Sequence, residues 1–263
     1  MRSRLAEWLV PIGALALFLA LWEFAAAAGW LRPIQFPPPS KLARTAVTLA
    51  FDGFPEGITL WVHAGITIQR ILAGHILAVA LAVPLGLLTG SRPLLDQMTA
   101  PIVAFCRSVA TLSLLPLAIV WFGTGEGAKI FLIGYGCFWV MFSSSIAAVK
   151  LVDPVLIRAA RTMDADEKTI FRQVILPASL PRLLSGARVA LGVGFMVIVG
   201  AEMIGTIRGL GSLIMEARTF YRTDITMVGM LCIGAFGLCV MFALARIEAW
   251  LVPWQAKQEA QQQ

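Results

Sequence analysis

Long apolar runs separated by short polar segments make up most of the chain. Six of them, at 8–28, 67–88, 98–122, 130–149, 184–204 and 225–245, reach the roughly 20 residues that a helix needs to cross a bilayer. The pattern predicts an all-α, polytopic membrane protein with six transmembrane helices, in which residues 1–263 form a single transmembrane domain. An even number of spans places both termini on the same side of the membrane.

The first apolar run and the segment behind it differ from the rest. Arg2 and Arg4 precede the run and small residues follow it, as in a secretory signal peptide. Because further spans follow, we expect an uncleaved first helix instead. Three consecutive prolines at 37–39 then exclude a continuous helix, and Ser40 is expected to cap a short surface helix in an external loop.

Composition supports the membrane class and indicates an orientation. The chain is 59% hydrophobic and only 14% charged, so a conventional soluble core is not expected. The net charge of +6 does not indicate nucleic acid as a partner, because the basic residues lie mainly at the ends of apolar runs. Twelve Lys and Arg residues fall in the termini, the turn near 91 and residues 150–188, against seven in the other loops. The positive-inside rule therefore makes the first group cytoplasmic.

Residues 150–183 form the one long charged segment between two apolar runs, and their charges require water. Asp153 followed by Pro154 is typical of a helix start, with the carboxylate as the N-cap and proline in the first helical position. This start predicts a short helix that runs through Arg161.

A second short helix is expected in the same segment. Asp164 and Glu167 have the spacing of a capping box, and Pro177 is expected to close a helix of about a dozen residues. Such a helix is too short to cross a bilayer. Its apolar side suits either a groove in another protein or the membrane surface. That side carries Ile170, Phe171, Val174 and Ile175.

Polar side chains inside the predicted spans are the candidates for a translocation pathway or gate. Glu202 lies in the fifth span, where a carboxylate is costly. Arg107 in the third span is a candidate partner for Glu202 or for an anionic solute, with snorkelling to the interface as the alternative. Ser143, Ser144 and Ser145 supply hydroxyl groups on the fourth helix, which also suit bonding within or between helices.

The sequence lacks the common motifs of nucleotide binding, catalysis and metal binding. It has no GxxxxGK[ST], and the glycine-rich stretch at 123–129 lacks the ending of that motif. His63 and His75 occur without HExxH, and there is no GxSxG. The four cysteines lie in apolar runs without a CxxC pair. We therefore expect no catalytic residues, metal or cofactor in this chain, so an intramembrane enzyme is the poorer interpretation.

The run RAARTMDADEKTIFRQVILP, at 158–177, resembles the cytoplasmic "EAA" loop of ABC-type importer permeases. That loop reads Glu-Ala-Ala, three residues, Gly, nine residues and then Ile-x-Leu-Pro. Two positions depart from it, since Arg158 replaces the glutamate and Asp164 replaces the glycine. We expect Asp164 to supply a side-chain cap in place of the turn that glycine makes freely. The remaining positions match at Ala159, Ala160, Leu176 and Pro177, with Val174 as a close substitute for isoleucine.

The resemblance extends over most of the chain. The stretches SLLPLAIVWFGTGEGAKIFLI, ARVALGVGFMVIVGAEMIG, RGLGSLIMEARTFYRTDI and QFPPPSKLARTAV are similar to segments of the nitrate, sulfonate and taurine permease family. One further departure is Val-Ala-Thr at 109–111, where the family commonly has Ile-Pro-Pro. Without those prolines the third span is expected to be straighter and the pathway altered.

The resemblance implies a type I ABC importer permease fold in a bacterial cytoplasmic (inner) membrane, with both termini cytoplasmic. The implied partners are a second permease subunit, two cytosolic ATPase subunits that bind ATP and Mg, and an external substrate-binding protein. The implied solute is small and anionic or zwitterionic, such as a sulfonate, taurine or nitrate. A secondary transporter or channel that works without an ATPase is the alternative. The residues that the resemblance assigns to ATPase coupling are Arg158, Ala159, Ala160, Asp164, Glu167, Ile170, Phe171, Val174, Leu176 and Pro177.

Overall fold

The computed structural model describes residues 2–55 and 57–252, and the regular secondary structure within them is helical. The described chain also contains a 3₁₀ turn (Thr111–Leu114) and a π-helical segment (Ile170–Ile175). The α-helices in chain order are α1 (Arg2–Ala27), α2 (Pro39–Phe51), α3 (Leu60–Gly90), α4 (Pro93–Ser108), α5 (Leu115–Phe122), α6 (Glu126–Lys150), α7 (Pro154–Thr162), α8 (Glu167–Thr169), α9 (Leu176–Glu202), α10 (Leu210–Thr219) and α11 (Thr223–Leu251).

Five helical segments of the described chain are long and apolar enough to cross a membrane. A sixth is added if α4 and the Thr111–Phe122 segment are counted together as one span. These segments follow the order of the predicted spans, and they match the predicted number of six if the bent pair is counted as one span. The five segments are Val10–Ala27, Leu60–Gly90, Glu126–Lys150, Glu167–Glu202 and Thr223–Trp250.

The third predicted span is not straight, which corrects the expectation drawn from its missing prolines. The two halves, Pro93–Ser108 and Thr111–Phe122, meet at an angle of 83°. Val109 and Ala110 form the break, and both have extended backbone angles, with ψ of 119° and 117°. An extended pair of residues bends the chain here although neither is proline.

Packing and one hydrogen bond hold this break in place. Tyr135 on α6 donates its hydroxyl to the carbonyl oxygen of Cys106 at 3.0 Å, which satisfies an acceptor near the end of α4. Leu112 lies so close to Gly200 on α9 that a Cβ at Gly200 would be 2.8 Å from it. Contacts with α6 and α9 therefore stabilise the bend, although the sequence has no proline at 109–111.

The chain divides into two compact units. One contains the described residues of Thr67–Thr206 and Ala235–Gln263. Its core is formed mainly by α6 and α9, through buried side chains such as Leu132, Met141, Leu191 and Ile198. Small residues bring its helices close together, as is usual in membrane proteins.

Two glycines show how close these helices approach. A Cβ at Gly186 of α9 would lie 2.6 Å from the Cβ of Ser144 on α6. A Cβ at Gly86 of α3 would lie 2.4 Å from the Cβ of Ser145. A larger side chain at either glycine would push the helices apart.

The other unit contains the described residues of Met1–Ile66 and Ile207–Gly234. Its short helix α2 begins at Pro39, so the prediction that Ser40 is the N-cap was wrong by two positions. Ser40 is instead held by the carboxylate of Glu23, which accepts from its backbone nitrogen at 3.0 Å and its hydroxyl at 2.7 Å. The cap comes from a residue remote in sequence.

Candidate functional site

Helix α7 is the first half of the predicted coupling loop, and it begins as the sequence predicted. Asp153 is the N-cap, and its Oδ1 accepts from the backbone nitrogen of Val155 at 2.8 Å. Pro154 occupies the first turn, where its missing N–H costs nothing. The short helix is thus defined by its own sequence.

One side of α7 exposes large apolar side chains. Val155 is 55% exposed and Leu156 48% exposed, and Met163 just after the helix is 76% exposed. Ala160, one turn after Leu156, is only 4% exposed. The loop therefore presents an apolar surface, formed by Val155, Leu156 and Met163, which we call the α7 apolar surface. Arg158 and Ala159 are exposed on the same helix.

Asp164 does not cap the following helix, which corrects the prediction. Its φ is +60°, so it occupies the left-handed region. Two backbone hydrogen bonds, Ala165 N to Ala160 O at 3.2 Å and Asp164 N to Arg161 O at 3.1 Å, form the Schellman arrangement that ends many helices. The position of Asp164 is the one where glycine is preferred, which explains the glycine of the resembled loop.

The N-cap of the following helix is Asp166, whereas the sequence predicted Asp164. Oδ1 of Asp166 accepts from the backbone nitrogen of Thr169 at 3.3 Å, and helix α8 begins at Glu167. The bond from the Thr169 side chain also keeps the pKa of the Asp166 carboxyl below its usual value. Glu167 accepts from Arg161 Nη2 at 2.9 Å across the turn. Asp164 and Asp166 both precede this helix. Because Asp164 ends α7 in the left-handed conformation, Asp166 is the residue that caps α8.

Pro177 does not close a helix, which is a second correction. The chain is helical without a break over Glu167–Glu202. Pro177 removes one N–H from the backbone ladder, and the π-helical turns of Ile170–Ile175 lie directly before it. The predicted short second helix is therefore continuous with the helix of the predicted fifth span.

The predicted apolar docking side of that segment faces the protein interior. Ile170 is 1% exposed, and Phe171 packs against the core of α6 and α9. Val174 is half-buried, whereas Leu176 and Pro177 are exposed. The loop's outward apolar surface lies on α7 instead.

Glu202 is fully buried at the end of α9 and forms part of a charged network. Its carboxylate accepts from Arg70 Nη1 at 2.7 Å and from the hydroxyl of Thr67 at 2.9 Å. Arg70 also binds Glu126 through Nε at 2.5 Å and Nη2 at 2.6 Å. Lys129 lies 3.8 Å from Glu126. The network joins α3, α6 and α9.

The other pathway candidates lie apart from this network. Arg107 is exposed, and the buried partner of Glu202 is Arg70. The hydroxyls of Ser143 and Ser145 donate to carbonyls of their own helix, Trp139 O at 2.9 Å and Met141 O at 2.8 Å. Ser144 packs against the backbone of α9. These serines pack α6 against its neighbours.

Sequence reasoning missed Arg70, although the signal was present. The residue lies in the apolar run at 67–88, where an arginine is as costly as the carboxylate of Glu202. Charged side chains within membrane spans usually pair with one another, so Arg70 and Glu202 could have been predicted as an ion pair. Among the residues that the structure describes, no group of three or more His, Cys, Asp or Glu could hold a metal ion.

Comparison with protein families decides the class of this chain. Residues 82–257 match the model of the binding-protein-dependent transport system inner membrane component. The chain belongs to this family. The resemblance inferred from the loop and the apolar stretches is thereby confirmed.

Relatives of this permease match it over nearly their whole length. The taurine transport system permease protein of Escherichia coli K12 is 34% identical over 98% of this chain and 96% of its own. An E. coli protein named for aliphatic sulfonates transport is 31% identical over 95% and 92% of the two chains. The bicarbonate transport system permease protein of Synechocystis is 29% identical over 97% and 92%.

Solved structures give the same fold for this permease. The inward-facing methionine ABC transporter matches with a TM-score of 0.61 at 23% identity, covering 72% of this chain and 95% of that one. An amino acid ABC transporter solved with histidines gives 0.55 at 17% identity, covering 72% and 90%. The all-α type I importer permease fold predicted from the sequence is confirmed.

Proposed function

We propose that this permease forms, with a second copy of itself, the membrane pathway of an ATP-driven importer. ATP and Mg are bound by two separate cytosolic ATPase subunits, and an external binding protein delivers the solute. Similar proteins are named for taurine, aliphatic sulfonates and bicarbonate. Since these solutes are small and carry an acidic group, the solute proposed here is a small anion or zwitterion such as a sulfonate, taurine or nitrate.

The α7 apolar surface is the single observation that carries the coupling proposal. Large apolar side chains on a short, capped polar loop are costly to leave in water, and they suit a groove in a soluble partner. Leu156 and Met163 supply this surface, whereas Ile170 and Phe171 are committed to the interior. We place the ATPase contact on α7 for this reason.

Coupling then uses the continuity of the chain behind α7. A displacement of α7 passes through the Schellman turn at Asp164 into the unbroken helix Glu167–Glu202. Because packed helices move as rigid bodies, closure of the ATPase pair rocks the permease between inward-facing and outward-facing states. Both termini and residues 150–183 are cytoplasmic in this proposal.

Leu156→Asp tests the proposal. We expect the variant to insert in the membrane and purify normally, but to lose co-purification of the ATPase and ATP-driven uptake. Ile207→Asp is the matched control, because Ile207 is 74% exposed and lies outside the loop. It should keep the ATPase bound. Normal ATPase binding and uptake by Leu156→Asp would exclude α7 as the contact.

A secondary transporter or channel remains the competing function. It uses the same spans but needs no ATPase, so purified permease alone in liposomes would move solute. The proposal predicts no uptake by the chain alone and ATP-dependent uptake once the ATPase and binding protein are added.

A further inference from the structure

A cavity of about 1080 Å³ opens beside α7. Its lining includes Gly90 at the end of α3, Lys150 at the end of α6, and Glu167 and Lys168. Since two membrane-spanning segments end here and a third begins, the cavity lies where the apolar spans meet the polar loop. A ligand in it would meet both hydrocarbon and water.

One part of the lining is apolar and continues onto exposed apolar side chains of the helices that are long enough to cross a membrane. Leu87 and Phe171 form its inner wall, and Leu88 and Leu176 are 45% and 36% exposed at its edge. The volume matches or slightly exceeds the roughly 300–1,000 Å³ of pockets that hold organic ligands. An elongated apolar group can therefore enter from the side of the spans.

The rest of the lining carries mostly positive charge. Arg92, Lys150, Arg161 and Lys168 line the cavity, and Glu167 is its acidic residue. These basic groups come from the α3–α4 turn, the end of α6, α7 and α8. The four basic residues thus come from four different elements and are not a run of charges along one helix.

Ion pairs account for two of the four basic groups. Lys150 Nζ lies 2.6 Å from Asp96 Oδ2, and Arg161 Nη2 lies 2.9 Å from Glu167 Oε1. Within residues 2–55 and 57–252, no ion pair or side-chain hydrogen bond is found for the other two, Arg92 and Lys168. Four positive and two negative charges leave the cavity and its edge with a net charge of +2.

We propose that this cavity binds an anionic phospholipid, with the phosphate at Arg92 and Lys168 and the acyl chains along the apolar wall. Basic pockets between transmembrane helices on the cytoplasmic side hold lipid head groups of this kind. A free phosphate would use the basic groups but would leave the apolar wall unfilled. A phospholipid matches both parts of the lining, because its phosphate pairs with the basic groups and its acyl chains cover the apolar wall.

Lipid in this cavity would set the position of α7. Pro154, Ile157 and Arg161 of α7 line the cavity, whereas Leu156 and Met163 lie on the α7 apolar surface. A bound lipid therefore packs behind the helix whose other side is proposed to meet the ATPase. The regulatory consequence rests on the proposed function, but the binding itself does not.

Native mass spectrometry of the full-length permease tests the binding. Delipidated protein is titrated with phosphatidylglycerol and with phosphatidylcholine of the same acyl chains. We expect preferential binding of phosphatidylglycerol, and a loss of affinity of about fivefold for each basic charge removed. Arg92→Gln and Lys168→Gln should each show this loss, and the double variant about twenty-five-fold.

Arg172→Gln is the matched control, since Arg172 is an exposed arginine of the same loop that does not line the cavity. It should bind lipid as the wild type does. Equal binding of both lipids, or no effect of the double variant, would overturn the proposal. So would inorganic phosphate that protects against thermal unfolding as well as phosphatidylglycerol does, because the site would then take a free anion. If the double variant cannot be purified, weaker phosphatidylglycerol binding by the wild type at high salt is the expected result, and salt-independent binding contradicts it.

Discussion

Loss of Arg70 should destabilise the permease far more than loss of the Glu126 charge. The Arg70 side chain is 5% exposed and bonds to Glu202 at 2.7 Å and to Glu126 at 2.5 Å. Arg70→Met keeps an unbranched side chain but leaves the carboxylate of Glu202, which is 0% exposed, without its buried cationic partner. Removing one member of a buried pair costs about 3–5 kcal/mol.

Glu126→Gln is the matched comparison within the same network. The Glu126 side chain is 59% exposed, so the loss of its charge should cost about 1 kcal/mol or less. At about 2–4 °C per kcal/mol for a chain of this size, Arg70→Met should lower the unfolding midpoint by roughly 6–20 °C. Glu126→Gln should lower it by less than about 4 °C.

Thermal unfolding of the purified variants in detergent measures these differences. The double variant Arg70→Met/Glu202→Leu removes both buried charges and should recover most of the lost midpoint. Equal midpoints for Arg70→Met and Glu126→Gln, or no recovery in the double variant, would refute the reasoning. Glu202→Gln separates this structural role from a pathway role, because a pathway role alone would impair uptake at a normal midpoint.

Three further predictions concern the loop and the helix packing. Asp164→Gly should preserve uptake and raise the unfolding free energy by up to about 1 kcal/mol, since φ at this position is +60°; a large loss of uptake would contradict it. Gly86→Ala should cost about 1–3 kcal/mol by overpacking against Ser145, whereas Gly65→Ala on the same helix, with open space around it, should be neutral or stabilising in the same unfolding assay. The pKa of the Asp166 carboxyl is lowered in the folded protein. The stability that this cap gives to the helix start is therefore present above the ordinary aspartate pKa, and it is lost as the pH falls from that value through the lowered pKa. Hydrogen exchange at Thr169 should then show extra opening at low pH, and Asp166→Asn should remove that pH dependence.

Local sequence was sufficient for the order of the apolar helices and for the start of α7. The apolar runs reach the roughly 20 residues that a helix needs to cross a bilayer, and the Asp153–Pro154 pair defines a helix start by itself. Both features depend only on residues that are close together in the sequence, so they can be predicted from one sequence.

Features that depend on distant contacts could not be predicted. The bend at Val109 and Ala110 relies on the Tyr135 hydroxyl and on the packing of Leu112 against Gly200. The choice between Asp164 and Asp166 as the cap depends on how α7 ends, because both carboxylates precede the same helix. Proline at 177 is a local signal, but the π-helical turns before it accommodate the missing hydrogen bond.

The same continuity that made Pro177 misleading gives the loop its proposed mechanical role. A helix that ended at Pro177 would leave a flexible joint between α7 and the spans, and a push from the ATPase would be absorbed there. The unbroken helix Glu167–Glu202 instead spans roughly 54 Å at the usual rise per residue, and it ends in the buried Arg70–Glu202 pair. In this proposal a displacement of α7 moves the rigid helix Glu167–Glu202, whose far end is held by the Arg70–Glu202 pair. Because the anchor is joined to α3 and α6 by charge and hydrogen bonds, the helices of this unit are proposed to move together rather than one past another.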